Sequence, residues 1–277
     1  MLYVVSTPIG NLKDVSFRAL DVLKECDYVL CEDTRHSQIL LNHYSIKKPL
    51  KSFHRFNERH RLDHVLEDLA KGKHVALISD AGTPAIADPG LQLISECRQK
   101  KIPMTVVPGA CALIVALGLS GFSPTVFQFL GFVPKKEKER FLIFKTALEY
   151  KGTSIFYETP HQIQKTLSHL QKLDNTRFLC IVREATKLHE ESLFGEASVL
   201  LEHFQTHTPR GEIVLLISEN PQERCLTSNI ISHIHILQEE LHLSRSEAIK
   251  IIAKLHQIPK REIYKKGLQF EDNSFAK

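Results

Sequence analysis

"HVALISDAGTPAIADPGLQLISECRQ", His74 to Gln99, decides the fold. It opens on the apolar run "HVALI", of strand length, and closes on "LQLISECRQ", whose apolar residues fall at helical spacing. Between them Ser79 to Gly90 holds two Asp, two Gly and two Pro, with no Lys or Arg. Strand, irregular loop and helix in that order form the repeating step of a parallel α/β sheet. Ligands of such sheets lie at the carboxyl ends of the strands, where these loops collect. Asp80 and Asp88 repel phosphate, so the ligand of this loop is cationic or rich in hydrogen-bond donors. Gly82 and Gly90 can supply a positive φ, while Pro84 and Pro89 stiffen the loop and lower the ordering cost of binding. Asp88 fits a cap for the following helix; Asp80, directly at the strand end, does not. A sulfonium cofactor with an amino group suits such a loop better than NAD does.

The same alternation runs outward in both directions. Strand patterns at 2–6, 28–33, 74–80 and 103–109 alternate with helix patterns at 14–26, 60–72, 90–101 and 110–121. They predict a mostly parallel, helix-covered sheet in a first α/β domain, residues 1–120. Gly, Pro and a charge run break the pattern over 121–140. Beyond them, 153–163, 162–173, 177–191 and 211–219 read as a second α/β domain, residues 121–220. Residues 221–277 form a third, basic helical piece, in which 243–268 reads helix–turn–helix. Ser244 and Glu247 make its capping box, and Pro259 opens the second helix.

Composition excludes several classes. No apolar run reaches the ~18 residues of a membrane span, and "MLYVVSTPIG" lacks the basic start of a signal peptide. The six cysteines are scattered with no C-x-x-C pair. That pattern predicts reduced thiols in a cytoplasmic protein, with neither a disulfide framework nor a metal site. The net charge of +4 is unevenly spread. Thr34 to Arg61 holds seven Lys/Arg, Arg55 and Arg59 among them, against the single acid Glu58. Ser244 to Gln269 holds another seven, including Lys260 and Arg261. Two such tracts point to a polyanionic partner, RNA above all.

Four further motifs carry chemistry. "STPIGN" (6–11) ends the first strand, and Pro8 and Gly10 can bring the backbone close to a ligand. Glu32 and Asp33 some twenty residues on mimic a dinucleotide fingerprint, but the single glycine leaves that reading without its pyrophosphate turn. "VVPGACALIVAL" (106–117) turns a strand into a helix whose free N–H groups face the cleft. "CEDTRHSQILL" (31–41) sets Glu32, Asp33, Thr34 and Arg35 at a strand end. Asp33 fits a helix N-cap there, and Arg35 can clamp a phosphate. "REATKLHEE" (183–191) places Arg183, Glu184 and Lys187 at another strand end, where an exposed ion-pair ladder is the plain alternative.

"VSTPIGNLKD", "CEDTRHS", "ISDAGTPAIADPG", "VVPGACA", "FYETPHQI", "REATKLHEE" and "GEIVLLI" together resemble the ribosomal RNA small subunit methyltransferase I family, over nearly the whole chain. That family is similar in fold to the tetrapyrrole methylases. The resemblance implies two α/β domains with S-adenosylmethionine in a cleft between them, a small C-terminal helical segment, and a homodimer. It implies methyl transfer to the 2′-hydroxyl of a cytidine in the decoding region of small-subunit (16S) rRNA, presented as rRNA or a 30S particle. On matching positions it assigns the cofactor to Gly82, Thr83, Pro84, Ile86, Ala110, Cys111, Tyr157 and Glu158, with Asp80 ordering the site. Cys111 stands where a hydroxyl residue is expected, and His54, Asn57 and Glu58 match their motif loosely. A ribose hydroxyl must be aligned and must lose its proton. Asp33 and Glu184 are the candidate bases, with Arg35 and Lys187 as phosphate or oxyanion partners and Arg55, Arg59, Lys260 and Arg261 on the RNA. The rivals are a tetrapyrrole C-methyltransferase, which needs no basic tracts, and a non-catalytic RNA-binding protein, which leaves the Ser79–Gly90 loop unexplained.

Overall fold

The computed structural model describes residues 1–219, 233–240, 242–255, 259–261 and 263. The chain forms two compact units, Met1–Ser218 and Glu219–Lys277. The larger unit holds two five-stranded sheets.

The first sheet contains β1 (Leu2–Val5), β2 (Tyr28–Cys31), β3 (Leu50–Ser52), β4 (Val75–Leu77) and β5 (Met104–Val107), in the order β3-β2-β4-β1-β5. Every pairing is parallel. The inner strands LYVV, YVLC and VAL are unbroken apolar runs because both faces are covered. One face meets α3 (Glu58–Ala70) and α4 (Leu91–Gln99) through Leu62, Val65, Leu66, Leu69, Leu93 and Cys97. The other meets α1 (Phe17–Glu25) and α2 (Thr34–His43) through Ala19, Leu23 and Leu41. Ser16 caps α1 by accepting from Ala19 N at 3.1 Å, and Asp33 caps α2 by accepting from Arg35 N at 2.8 Å.

The helix α5 (Ala112–Ser120) is apolar nearly all round and ends at Gly121, whose φ is +67°. Although it follows β5 in sequence, Leu113, Ala116 and Leu117 lie against Ile155, Val182, Val214 and Leu216 of the second sheet. That sheet contains β6 (Phe127–Phe132), β7 (Thr153–Glu158), β8 (Phe178–Arg183), β9 (Glu191–Glu196) and β10 (Ile213–Ile217), in the order β6-β7-β10-β8-β9. Only β6 and β7 run parallel. Its outer face carries α6 (Glu137–Glu149), α7 (Ile163–Leu173) and α8 (Ala197–Thr206) over a core built on Phe144, Phe156, Leu167, Leu200 and Phe204.

In the smaller unit, residues 233–239 are helical and α9 spans Arg245–Leu255. Ile234, Ala248, Ile249, Ile252 and Ile263 form its core. The expected capping box is present: Glu247 N donates to Ser244 Oγ at 3.3 Å, and Ser244 N donates to Glu247 Oε2 at 3.0 Å. Lys260, Arg261 and Ile263 are helical, as expected after Pro259, and the rest of that expected second helix lies outside the described residues. The five described cysteines are free; Cys225 lies outside the described residues. Among the described residues no helix is long and apolar enough to cross a membrane.

Candidate active site

The loops that leave β1, β2, β4 and β5 meet at the carboxyl end of the first sheet, and one chain of hydrogen bonds ties them together. Thr7 N donates to Gly82 O at 2.9 Å, and Gly82 N donates back to Thr7 O at 3.1 Å. Thr83 Oγ1 donates to Ala110 O at 3.2 Å, which leaves Ser6 Oγ to donate to Thr83 Oγ1 at 2.9 Å. One hydroxyl thereby joins three loops. Gly82 has φ +82°, and a Cβ there would stand 3.2 Å from Ile9 Cγ2. The positive φ at the backbone pair with Thr7 favours glycine, and a Cβ there would press on the Ile9 side chain.

These loops, with Tyr157–Pro160 and Gly211–Val214 of the second sheet, enclose a cavity of about 390 Å³. That size suits a small molecule. Five of its lining residues are acids, Glu32, Asp80, Asp88, Glu158 and Glu212, and among the described residues none of the lining is Lys, Arg or His. The apolar part of the wall includes Ile9, Ile86, Cys111, Phe132, Tyr157 and Val214. The carboxylates differ in what they do. Asp80 Oδ1 accepts from Asp33 N at 3.1 Å and so anchors the start of α2. Glu158 accepts from Thr159 N at 2.9 Å and from the Thr166 hydroxyl, and burial raises its pKa. Burial and the Asp80 charge raise Glu32, against the pull of His54 and Arg55. Burial, helped by Glu32, pushes Asp88 up to about 6.

Asp88 was expected to cap α4, and it does not. Gly90 occupies the N-cap position with φ +118° and no side chain caps the helix. The left-handed turn at Gly90 leaves Asp88 among the lining of the cavity instead.

The expected cofactor residues Asp80, Gly82, Thr83, Ile86, Cys111, Tyr157 and Glu158 all line this cavity. Pro84 and Ala110 are not part of its lining. Pro8 and Gly10 line a neighbouring hollow with His36, Lys187 and Glu212. Gly10 lies so close beneath Lys187 that a Cβ would stand 2.3 Å from Lys187 Cγ.

The expected bases are occupied. The Asp33 carboxylate takes Arg35 Nε at 3.1 Å and a terminal Arg35 nitrogen at 2.7 Å, and these bonds hold it well below the usual carboxylate range. Burial would raise Glu184, but Lys187 Nζ at 2.7 Å and Glu212 N at 2.9 Å outweigh it and bring it down. Lys187 in turn is shared with Glu212 at 3.1 Å. Arg183 pairs with Glu191 across β8 and β9 at 2.9 Å. The 183–191 stretch is thus largely the ion-pair ladder that its charge density allows. Arg55 and Arg59 are exposed at the turn before α3 and in its first turn. Lys260 and Arg261 are exposed in the smaller unit.

Glu32, like Glu212, is a lining acid to which the sequence motifs assign no role. It lines both the cavity and a second, outer hollow that holds Asp33, Arg35, Arg55 and Phe56. Its place directly after β2 was the available signal, since that is where functional groups gather in parallel sheets.

Residues 1–200 match the sequence profile of Tetrapyrrole (Corrin/Porphyrin) Methylases. A protein of Haemophilus influenzae described as "Ribosomal RNA small subunit methyltransferase I" is 39% identical over 275 residues, 97% of this chain and 96% of that one. Its namesake in Thermotoga maritima is 42% identical over 217 residues, 78% of this chain and 97% of that one. Among solved structures, a diphthine synthase superposes with a TM-score of 0.63 at 16% identity, over 78% of this chain and 89% of that one. A uroporphyrin-III-C-methyltransferase of Thermus thermophilus superposes with a TM-score of 0.56 at 18% identity, over 78% and 93%.

Proposed function

The chain belongs to the tetrapyrrole methylases, in their ribosomal RNA small subunit methyltransferase I branch, and on that premise we propose that it methylates small-subunit rRNA, using S-adenosylmethionine, at the 2′-hydroxyl of a cytidine in the decoding region. The observation that carries the reading is the acid-rich cavity at the carboxyl ends of the strands, with no Lys, Arg or His among its described lining residues. S-adenosylmethionine, when bound, supplies a methyl group on a positively charged sulfur. The residues present fit it: Asp80 and Asp88 suit its positive charges, and backbone groups of Gly82 and Thr83 suit its polar end. Ile86, Cys111 and Tyr157 would cover its apolar parts and keep water out.

The protein has two remaining tasks, to align the ribose hydroxyl and to take its proton. Asp33 and Glu184 are poor proton acceptors, because ion pairs stabilise their charged forms. Glu32 is the better one. Its carboxylate is raised rather than lowered, and it stands where the cofactor cavity and the outer hollow share a wall. Asp33 then acts by positioning: its N–H holds Asp80, and its carboxylate starts α2. On this reading Arg55, Arg59, Lys260 and Arg261 meet RNA phosphates. Lys187 serves chiefly to tie Glu184 to Glu212. A homodimer in the cytoplasm completes the reading.

The test is transfer of a labelled methyl group to small-subunit particles that lack the modification, followed by alkaline hydrolysis. A 2′-O-methyl group blocks cleavage at one position. Label on a base, or none in rRNA, would refute the proposal.

A further inference from the structure

The turn between β3 and α3 carries an aromatic ring into solvent beside the candidate site. Phe56 is 82% exposed. The turn that holds it is well tied. His54 N donates to Asn57 Oδ1 at 2.8 Å, and Asn57 Nδ2 donates to Ser52 O and Ser52 Oγ, each at 3.3 Å. Phe56 N donates to His54 Nδ1 at 3.3 Å, and Phe53 N donates to Cys31 O at 2.7 Å, which fastens the turn to β2. The Arg55 guanidinium lies 5.5 Å from the centre of the Phe56 ring. Beside the ring is a hollow of about 480 Å³. Glu32 and Asp80 line both this hollow and the cofactor cavity.

We propose that this hollow takes the target nucleotide of single-stranded RNA, with its base stacked on Phe56 and its phosphate on Arg55. The inference rests on the RNA substrate proposed above. An exposed ring beside an arginine is the combination by which proteins hold unpaired bases, since every base has a face to stack and a phosphate within reach. Charge sets the orientation. Glu32 and Asp80 repel a phosphate, and Arg35 is already neutralised by Asp33 at 2.7 Å. The phosphate therefore stays at the outer edge, with Arg55 and Arg59, and the ribose faces Glu32. Stacking on a ring fixed by the turn also lowers the ordering needed on binding.

The experiment uses the full chain, S-adenosylmethionine and unmethylated small-subunit particles. Phe56→Ala raises KM for the particles about 5- to 150-fold, the range of one lost base stack, and Phe56→Trp restores it to within about two-fold. S-adenosylmethionine affinity, read by calorimetry, and Tm stay at wild-type values in both. Salt separates the two contacts. In Phe56→Ala the slope of log affinity against log salt is unchanged, whereas in Arg55→Ala it is shallower by about 1. A wild-type KM in Phe56→Ala, or a loss that Phe56→Trp does not repair, overturns the inference. If wild-type enzyme methylates no rRNA, the substrate reading falls first and this inference with it.

Discussion

Replacing Gly82 by alanine tests whether the Thr7–Gly82 pair holds the cofactor loop. Two effects add. A non-glycine residue at φ +82° costs about 1–2 kcal/mol. The new Cβ, 3.2 Å from Ile9 Cγ2, also needs a shift of a few tenths of an ångström. That shift strains the two backbone hydrogen bonds to Thr7, each worth about 1 kcal/mol. The sum is about 2–4 kcal/mol, or a fall in Tm of about 4–16 °C for a unit of this size. Gly72 supplies the control. It has φ +87° but nothing within 4 Å of its Cβ position, so Gly72→Ala carries only the backbone cost of about 1–2 kcal/mol. Thermal melts compare stability, and calorimetry compares S-adenosylmethionine affinity. Gly82→Ala is expected to melt below Gly72→Ala and to lose at least about tenfold in affinity, while Gly72→Ala binds as wild type. Equal melting points and unchanged affinity in Gly82→Ala would refute the role of the pair.

Glu32→Gln should lower the methyl-transfer rate about 100-fold or more while leaving S-adenosylmethionine affinity within a few-fold; Asp33→Asn should lower it less, and the reverse order would return the proton to Asp33. Asp88, pushed up to about 6 from 3.8, holds a proton in the native state that the unfolded chain has already lost. Stability therefore falls as pH rises from 3.8 to about 6, and Asp88→Asn should melt above wild type at neutral pH and level with it at the acid end. Asp68 runs the other way. Buried among Lys73 at 2.7 Å and Tyr28 Oη at 3.0 Å, it is held down to about 2. Its contribution is present above 3.8 and is lost as pH falls to about 2. Asp68→Asn should cost about 1–3 kcal/mol at neutral pH, and denaturant melts should show the gap closing in acid.

What could be read in advance followed burial. β1, β2 and β4 show as apolar runs because helices cover both faces. β3 is only "LKS", half-buried at the sheet edge, and has no pattern to read. β6, "FQFLGF", is interrupted by a register shift between Phe129 and Phe132. α6 begins in a charge run, and its Arg140 is buried, with its guanidinium on Pro134 O and Gln162 Oε1. An arginine satisfied by distant carbonyls cannot be told from a solvated one in sequence. At the site, the positive φ of Gly82 was legible because it is a matter of local backbone geometry. The surroundings of Glu32 and Asp88 were not. They depend on burial supplied by other loops, and Asp88 reads as a cap in sequence although Gly90 holds that position. Asp33 and Arg35 stand two residues apart, and only the structure shows that they satisfy each other.

The parallel register of the first sheet sets an order for biosynthesis. β1 lies between β4 and β5, with Leu2 opposite both Val75 and Met104. Its two partners reach the ribosomal exit long after it does. At about 5–20 residues per second, "LYVV" waits some ~4–15 s for β4 alone. Through that interval its backbone donors have water, not a neighbouring strand, as partner, and its apolar side chains lack the cover of the folded sheet. The segment that later becomes the centre of the sheet therefore does not have both neighbouring strands until translation has passed Val107.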